Sequence, residues 1–186
     1  MRKLWVLPLI LSYTVFVSAV IKMYRADVKY QNSQSALARY ELQDALKDSF
    51  ASIELNPREA NYYKGRARVF LLTNQKELAL KDLQTAYKIN EHNLVTIRNI
   101  IPLYYFLAVA DLAKPQTKAN LDKRYVTVAQ DFYKKVKDIS PNDAGVYILL
   151  AKYEKKLGLT DDYNMGRKKV NSLRPDLLQW NETFID

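Results

Sequence analysis

The chain has 186 residues, 48% of them hydrophobic, which is enough for a core and excludes global disorder. It has no cysteine, which excludes a disulfide framework and thiolate chemistry, and its four glycines are too few for a sheet with many tight turns, so an all-α fold is predicted. The formal net charge is +9, but Arg2, Lys3, Lys22 and Arg25 put +4 into the first 25 residues and leave +5 for residues 26–186, a solvated surface with no nucleic-acid recognition motif.

The first element is an uncharged run of 18 residues, Leu4 to Ile21. A bilayer core takes about 20 predominantly apolar residues as a helix. Trp5 and Tyr24 stand near the two ends, where amphipathic rings favour the headgroup region, and basic residues flank both sides. The favoured reading is a single transmembrane anchor over residues 1–25. Two alternatives stay open: a signal peptide cleaved after Val17-Ser18-Ala19, and a buried core helix softened by Ser12, Tyr13, Thr14 and Ser18. The flanking charges nearly balance. The short basic N-terminus favours the inner face for itself, which would put the rest of the chain on the extracytoplasmic side.

Residues 26–186 are organised by an interval. Ala45-Leu46-Lys47-Asp48 recurs as Ala79-Leu80-Lys81-Asp82, 34 positions later, and Pro141 and Pro175 are separated by the same 34. Equal spacing at two places predicts a solenoid of about three to four stacked helix pairs. In the first unit, 26–59, Ala45 and Ser52 are small, Ser49 stands where the pattern asks for a large residue, Phe50 is beside it, and Pro57 closes the unit. Its first helix, near Val28–Ala38, matches weakly and reads as an extension of the membrane helix.

The second unit, Ala60–Asn93, is the clearest. Tyr63, Ala67 and Phe70 share one helix face, Ala79, Leu83 and Ala86 share another, and Thr73-Asn74-Gln75 forms the turn between them. The third unit, 94–141, is stretched by 16 residues. A helix is predicted over Leu94–Leu112 with Asn93 as cap and Ile97, Ile101 and Tyr104 on one face; Pro102 should kink it or mark a later start. Ala113-Lys114-Pro115-Gln116-Thr117 reads as a loop, either a tolerated insertion or a binding element, and a second helix over Ala119–Asp138 carries Ala129 and Tyr133. The fourth unit, Ala144–Leu177, has Tyr147 and Ala151 on its first helix, Gly158 in the turn, and Asp161 and Asp162 at the start of its second helix, where carboxylates complement the dipole. A short capping helix within Asp176–Phe184 would cover the last unit through Leu177, Leu178 and Trp180.

Tyr63, Ala67, Phe70, Ala79, Leu83 and Ala86 resemble the tetratricopeptide repeat signature; Glu91 departs from it in the slot where that family often has proline. The resemblance implies an interaction scaffold without cofactor, whose inner groove is lined mainly by first helices. Carried over by register, that groove comprises Asn61, Lys64, Arg68, Leu71 and Leu72 in the second unit, Arg98, Tyr105 and Phe106 in the third, and Ile148, Lys152, Lys155 and Lys156 in the fourth. A basic, partly aromatic groove suits a peptide carboxylate, an acidic protein segment or an anionic glycan. The bland alternative is that these residues only keep their helices in solution. A hydrophobic helix running into Tyr24-Arg25-Ala26-Asp27-Val28-Lys29-Tyr30, then Leu55-Asn56-Pro57, Ala60-Asn61-Tyr62-Tyr63 and Leu173-Arg174-Pro175-Asp176, is also similar to the C-terminal tails of bacterial O-antigen ligase and polymerase-like membrane proteins. That second resemblance implies either a split or truncated accessory tail of a glycan polymerase or ligase, or a stand-alone relative with such a multi-span enzyme as partner. The catalytic membrane helices of such enzymes have no counterpart in this sequence.

The sequence suggests no catalytic or metal site. His92 is the single histidine, no cysteine exists to join it on zinc, and Gly65, Gly145, Gly158 and Gly166 are isolated and build no phosphate-cradling loop. A serine nucleophile would need a base, and no motif links His92 to one.

Overall fold

The computed structural model describes residues 6–115 and 117–184. Among these residues there are nine α-helices: α1 (Val6–Ala38), α2 (Leu42–Leu55), α3 (Ala60–Leu72), α4 (Lys76–Ile89), α5 (Leu94–Ala108), α6 (Lys123–Ile139), α7 (Ala144–Leu157), α8 (Thr160–Leu173) and α9 (Asp176–Trp180). They pair as α1/α2, α3/α4, α5/α6 and α7/α8, and successive first helices pack side by side, α1 on α3, α3 on α5 and α5 on α7. This is a solenoid of four helix pairs with α9 at its end.

Small residues let the helices approach. Ala45, Ala67, Ala79, Ala86, Ala129 and Ala151 are all fully buried, and Phe70, Leu83, Ile97, Ile101, Tyr133 and Leu150 fill the space between turns. The recurring aspartates tie second helices back to first ones: Lys29 meets Asp48 at 2.8 Å, and Arg66 holds Asp82 through two bonds of 2.7 and 2.8 Å. Ser49 is buried where a larger residue was expected, and Phe50 instead lies under the Arg66 guanidinium, 4.4 Å from its centroid.

Polar caps start the first helices of the later pairs. Glu59, Asn93 and Asp143 accept from the backbone N–H of Asn61, Thr96 and Val146. The turns inside the first, second and fourth pairs each place one residue in the left-handed region. Tyr40 has φ 59 and Asn74, 34 positions on, has φ 57; Gly158 serves in the fourth pair with φ 75.

The helix α1 runs unbroken through residue 25, so the apolar stretch and the first helix of the repeats are one helix. From Pro8 to Arg25 only Val17 is even partly covered, whereas Ala26, Ser33, Ala36 and Leu37 are buried. The stretch Pro8–Ala38 is long and apolar enough to cross a membrane. Among the described residues nothing packs on the apolar half of α1, which disfavours the reading of a core helix.

Three boundaries differ from the sequence reading. Helix α5 starts at Leu94 and continues through Pro102, because burial of Ile97, Ile100, Ile101, Leu103, Tyr104 and Leu107 outweighs the roughly 3 kcal/mol a proline costs in a helix. It stops at Ala108 rather than Leu112. Beyond it the inserted segment closes on itself: Val109 bridges Leu121, Ala110 N–H donates to the Asn120 carbonyl at 2.8 Å, and Lys76 donates to the Val109 carbonyl at 2.6 Å. A 3-10 turn over Lys118–Asn120 takes the place of the predicted start of α6, which begins instead at Lys123 behind its cap Asp122. The end cap also differs. Helix α9 stops at Trp180, whose side chain is 81% exposed, and Phe184 takes the covering role with its ring 6.0 Å from that of Tyr163. Leu177 and Leu178 pack beneath it as expected.

Candidate functional site: the face of the first helices

Side chains bridge the first helices α1 to α3 and α5 to α7 along one side of the array. Between α1 and α3, Tyr62 donates to Asp27, the Tyr30 and Tyr62 rings lie 5.2 Å apart, and Arg68 donates to Gln34 at 3.0 Å. A Cβ added at Gly65 would sit 2.7 Å from the Tyr30 ring, so this glycine permits the close approach of the two helices. Between α5 and α7, Arg98 pairs with Asp143 at 2.7 Å and the Tyr105 and Tyr153 rings are 5.3 Å apart.

Most of the predicted groove cations lie along this face, in two clusters. Lys64 donates to Asn61 at 2.8 Å, and Arg68, four residues on, bonds the neutral Gln34. Half-buried Lys64 sits below the ordinary lysine pKa, first because burial penalises its charge and then because Arg68 repels it, with Glu59 pulling the other way. The second cluster is Lys152, Lys155 and Lys156 on α7, which with Trp180, Asn181, Glu182 and Thr183 line a cavity of about 610 Å³. Lys156 lies 5.3 Å from the Tyr105 centroid and Lys155 lies 5.6 Å from that of Tyr163. Between the clusters, Arg98 is engaged by Asp143 and offers less free charge than its position suggests.

Three predicted residues do not join this surface as expected. Tyr105 is 2% exposed and supports Lys156 from beneath rather than meeting solvent. Leu71 and Leu72 turn to the opposite edge, where with Tyr40, Leu42, Leu112 and others they line a separate cavity of about 670 Å³ beside the inserted segment. Register alone missed Trp180, because it belongs to the terminal segment and comes to the lysines only through the fold. Phe106 and Ile148 are half-buried. His92 is exposed beside Glu91 at 3.5 Å, and among the described residues no group of three metal-ligating side chains occurs.

The buried charges lie behind this face. Glu154 of α7, 1% exposed, meets Lys137 of α6 at 2.7 Å; Lys137 is also 3.6 Å from Asp162 of α8, which accepts from Gln130 at 2.6 Å. Asp162, expected only at the helix dipole, therefore also locks α6 to α8.

No family model matches this sequence, and no curated protein matches it. Solved structures do match. The chain is similar to the tetratricopeptide repeat domain of OM64 from Arabidopsis, with TM-score 0.51 and 16% identity, over 72% of this chain and 98% of that one. It is similar also to a thermophilic tetratricopeptide repeat protein of Thermus thermophilus, with TM-score 0.54 and 16% identity, over 86% of this chain and 79% of that one. The fold is therefore that of a tetratricopeptide repeat array whose first helix, α1, is apolar and long enough to span a membrane.

Proposed function

We propose that this chain is a single-pass membrane adaptor whose first-helix face captures an acidic segment of a protein partner. The observation that carries the reading is the pair of cation clusters on one face, Lys64 with Arg68 and Lys152 with Lys156. The hydrogen-bond partners of Lys64 and Arg68 there are neutral side chains. Lysine and arginine held on a rigid helical wall bind carboxylates with little further ordering cost. The anchor confines the groove close to the bilayer, which raises its effective concentration toward partners in the same membrane. A multi-span glycan polymerase or ligase is one partner of that kind.

The test uses the full chain in detergent and a fluorescent peptide of alternating glutamate and serine. Charge reversal at Lys64 and Arg68 together should weaken binding at least tenfold, a loss of about 1.4 kcal/mol, and leave the helical circular dichroism signal intact. Equal affinity of the variant and the parent chain would remove the groove from the proposal.

A further inference from the structure

The cross-links between α1 and α3 fix a register. Asp27 meets Tyr62, Gly65 lies against Tyr30, and Gln34 meets Arg68, so the two helices run parallel with an offset of 34 or 35 residues. Ala60, the first residue of α3, is then level with Arg25 or Ala26. That is four or five residues beyond Ile21, the last residue of the uncharged run. At about 1.5 Å per residue the distance is about 6–8 Å. The headgroup layer on each side of a bilayer is about 5–8 Å thick. The turn leading into α3, with Pro57 and Arg58 exposed, therefore falls within that layer when α1 spans the membrane.

The next turn between repeats stands on the same edge, because α5 packs beside α3 and begins 34 residues after it. It exposes an apolar step: Val95 is 68% exposed and Leu94 37%. The opposite edge, with the inserted segment around Ala113, lies about 20 Å further out, one helix length of α3.

We propose that the array stands edge-on against the bilayer that holds α1. Arg58 meets lipid phosphates, Leu94 and Val95 enter the interface, and the cation-lined face looks sideways along the membrane. This inference rests on the anchor proposed above and adds the surface that the lipid covers. Arginine suits phosphate through paired N–H donors, and an exposed apolar step gains by leaving water. A partner would then approach along the membrane plane, not from above it.

The chain has no cysteine, so single substitutions give unique labelling sites. An environment-sensitive fluorophore is attached in turn to Phe16→Cys, Arg58→Cys, Val95→Cys and Ala113→Cys. The full chain is reconstituted in phosphatidylcholine–phosphatidylglycerol vesicles carrying a nitroxide on the headgroup or on the acyl chain. The expected result is quenching at Phe16 by the acyl-chain nitroxide. Positions 58 and 95 should lose at least half of their emission to the headgroup nitroxide, and position 113 should be unaffected. If Phe16 is not quenched, the anchor reading falls and this inference falls with it. If Phe16 is quenched but 58 and 95 behave like 113, the anchor stands and the edge-on contact is wrong. Shielding of 95 from water without quenching by either nitroxide would assign the apolar step to protein instead, and would equally overturn the inference.

Discussion

Replacing Lys137 by methionine removes the cation between two buried carboxylates and keeps an unbranched side chain, one atom shorter. Lys137 meets Glu154 at 2.7 Å and Asp162 at 3.6 Å, and Oε2 of Glu154 has no hydrogen-bond partner to compensate. Breaking a buried pair by deleting one partner costs about 3–5 kcal/mol. Lys137 keeps 14% of its side chain exposed, which places the loss at the lower end. At about 2–4 °C per kcal/mol for a chain of this size, Tm should fall by about 6–12 °C at pH 7. The loss should depend on pH. Burial raises the Glu154 pKa, Lys137 opposes that, and Asp162 adds to it. A carboxyl raised above its unfolded value contributes fully below the ordinary glutamate pKa of about 4.3, and the contribution is lost as pH rises through the raised value. Without Lys137 that upper limit moves higher, so the deficit should be larger at pH 7 than at pH 5. Thermal melts of the full chain in detergent, followed by circular dichroism, measure both quantities, with the exposed neighbour Lys134→Met as control. A fall of less than about 2 °C at pH 7, or equal falls at the two pH values, would refute the reasoning.

The same melts check two further substitutions. Tyr40→Asn should stabilise by about 1 kcal/mol, because a tyrosine at φ 59 is disfavoured where asparagine is tolerated, and Asn74 already occupies the equivalent place; no gain in Tm would mean the turn is not strained. Asp82→Ala should cost about 3 kcal/mol, because Arg66 loses both of its bonds in a site where its side chain is only 13% exposed; a change within the range of surface substitutions, about 0.5 kcal/mol, would deny the pair its structural role.

The regular parts of this fold were legible because a repeat states its own geometry twice. Ala79, Leu83 and Ala86 stand at helical spacing and are fully buried, and Gly158 sits in the left-handed turn its chemistry suits. Asn93 caps α5 as its position before an apolar run implied. Legibility failed where long-range packing decided a local matter. Pro102 allowed a kink or a later start, and the later start did not occur because the burial of its neighbours on α5 outweighs the cost of the proline. Residues 113–115 and 117 form a loop as expected, but the bonds that close its flanks, between Ala110 and Asn120 and from Lys76 to Val109, are not visible in a local window.

The candidate face was half legible. Lys64, Arg68, Lys152 and Lys155 could be placed by repeat register, because register follows from helical periodicity. Tyr105 could not be told from an exposed residue, because its burial depends on Tyr153 and Lys156 of the next repeat. Trp180 reads in the sequence as a capping contact, and its place beside the α7 lysines follows only from the fold.

The sequence by itself determined the helix pairs, their 34-residue period and the uncharged run at the N-terminus, since each depends on residues close along the chain. Tertiary structure decided that the apolar run and the first repeat share the single helix α1, that Lys137 bridges three helices, and that α1 and α3 lock in parallel register. These depend on side chains up to 35 positions apart meeting across helix faces, and only the packed chain brings them together.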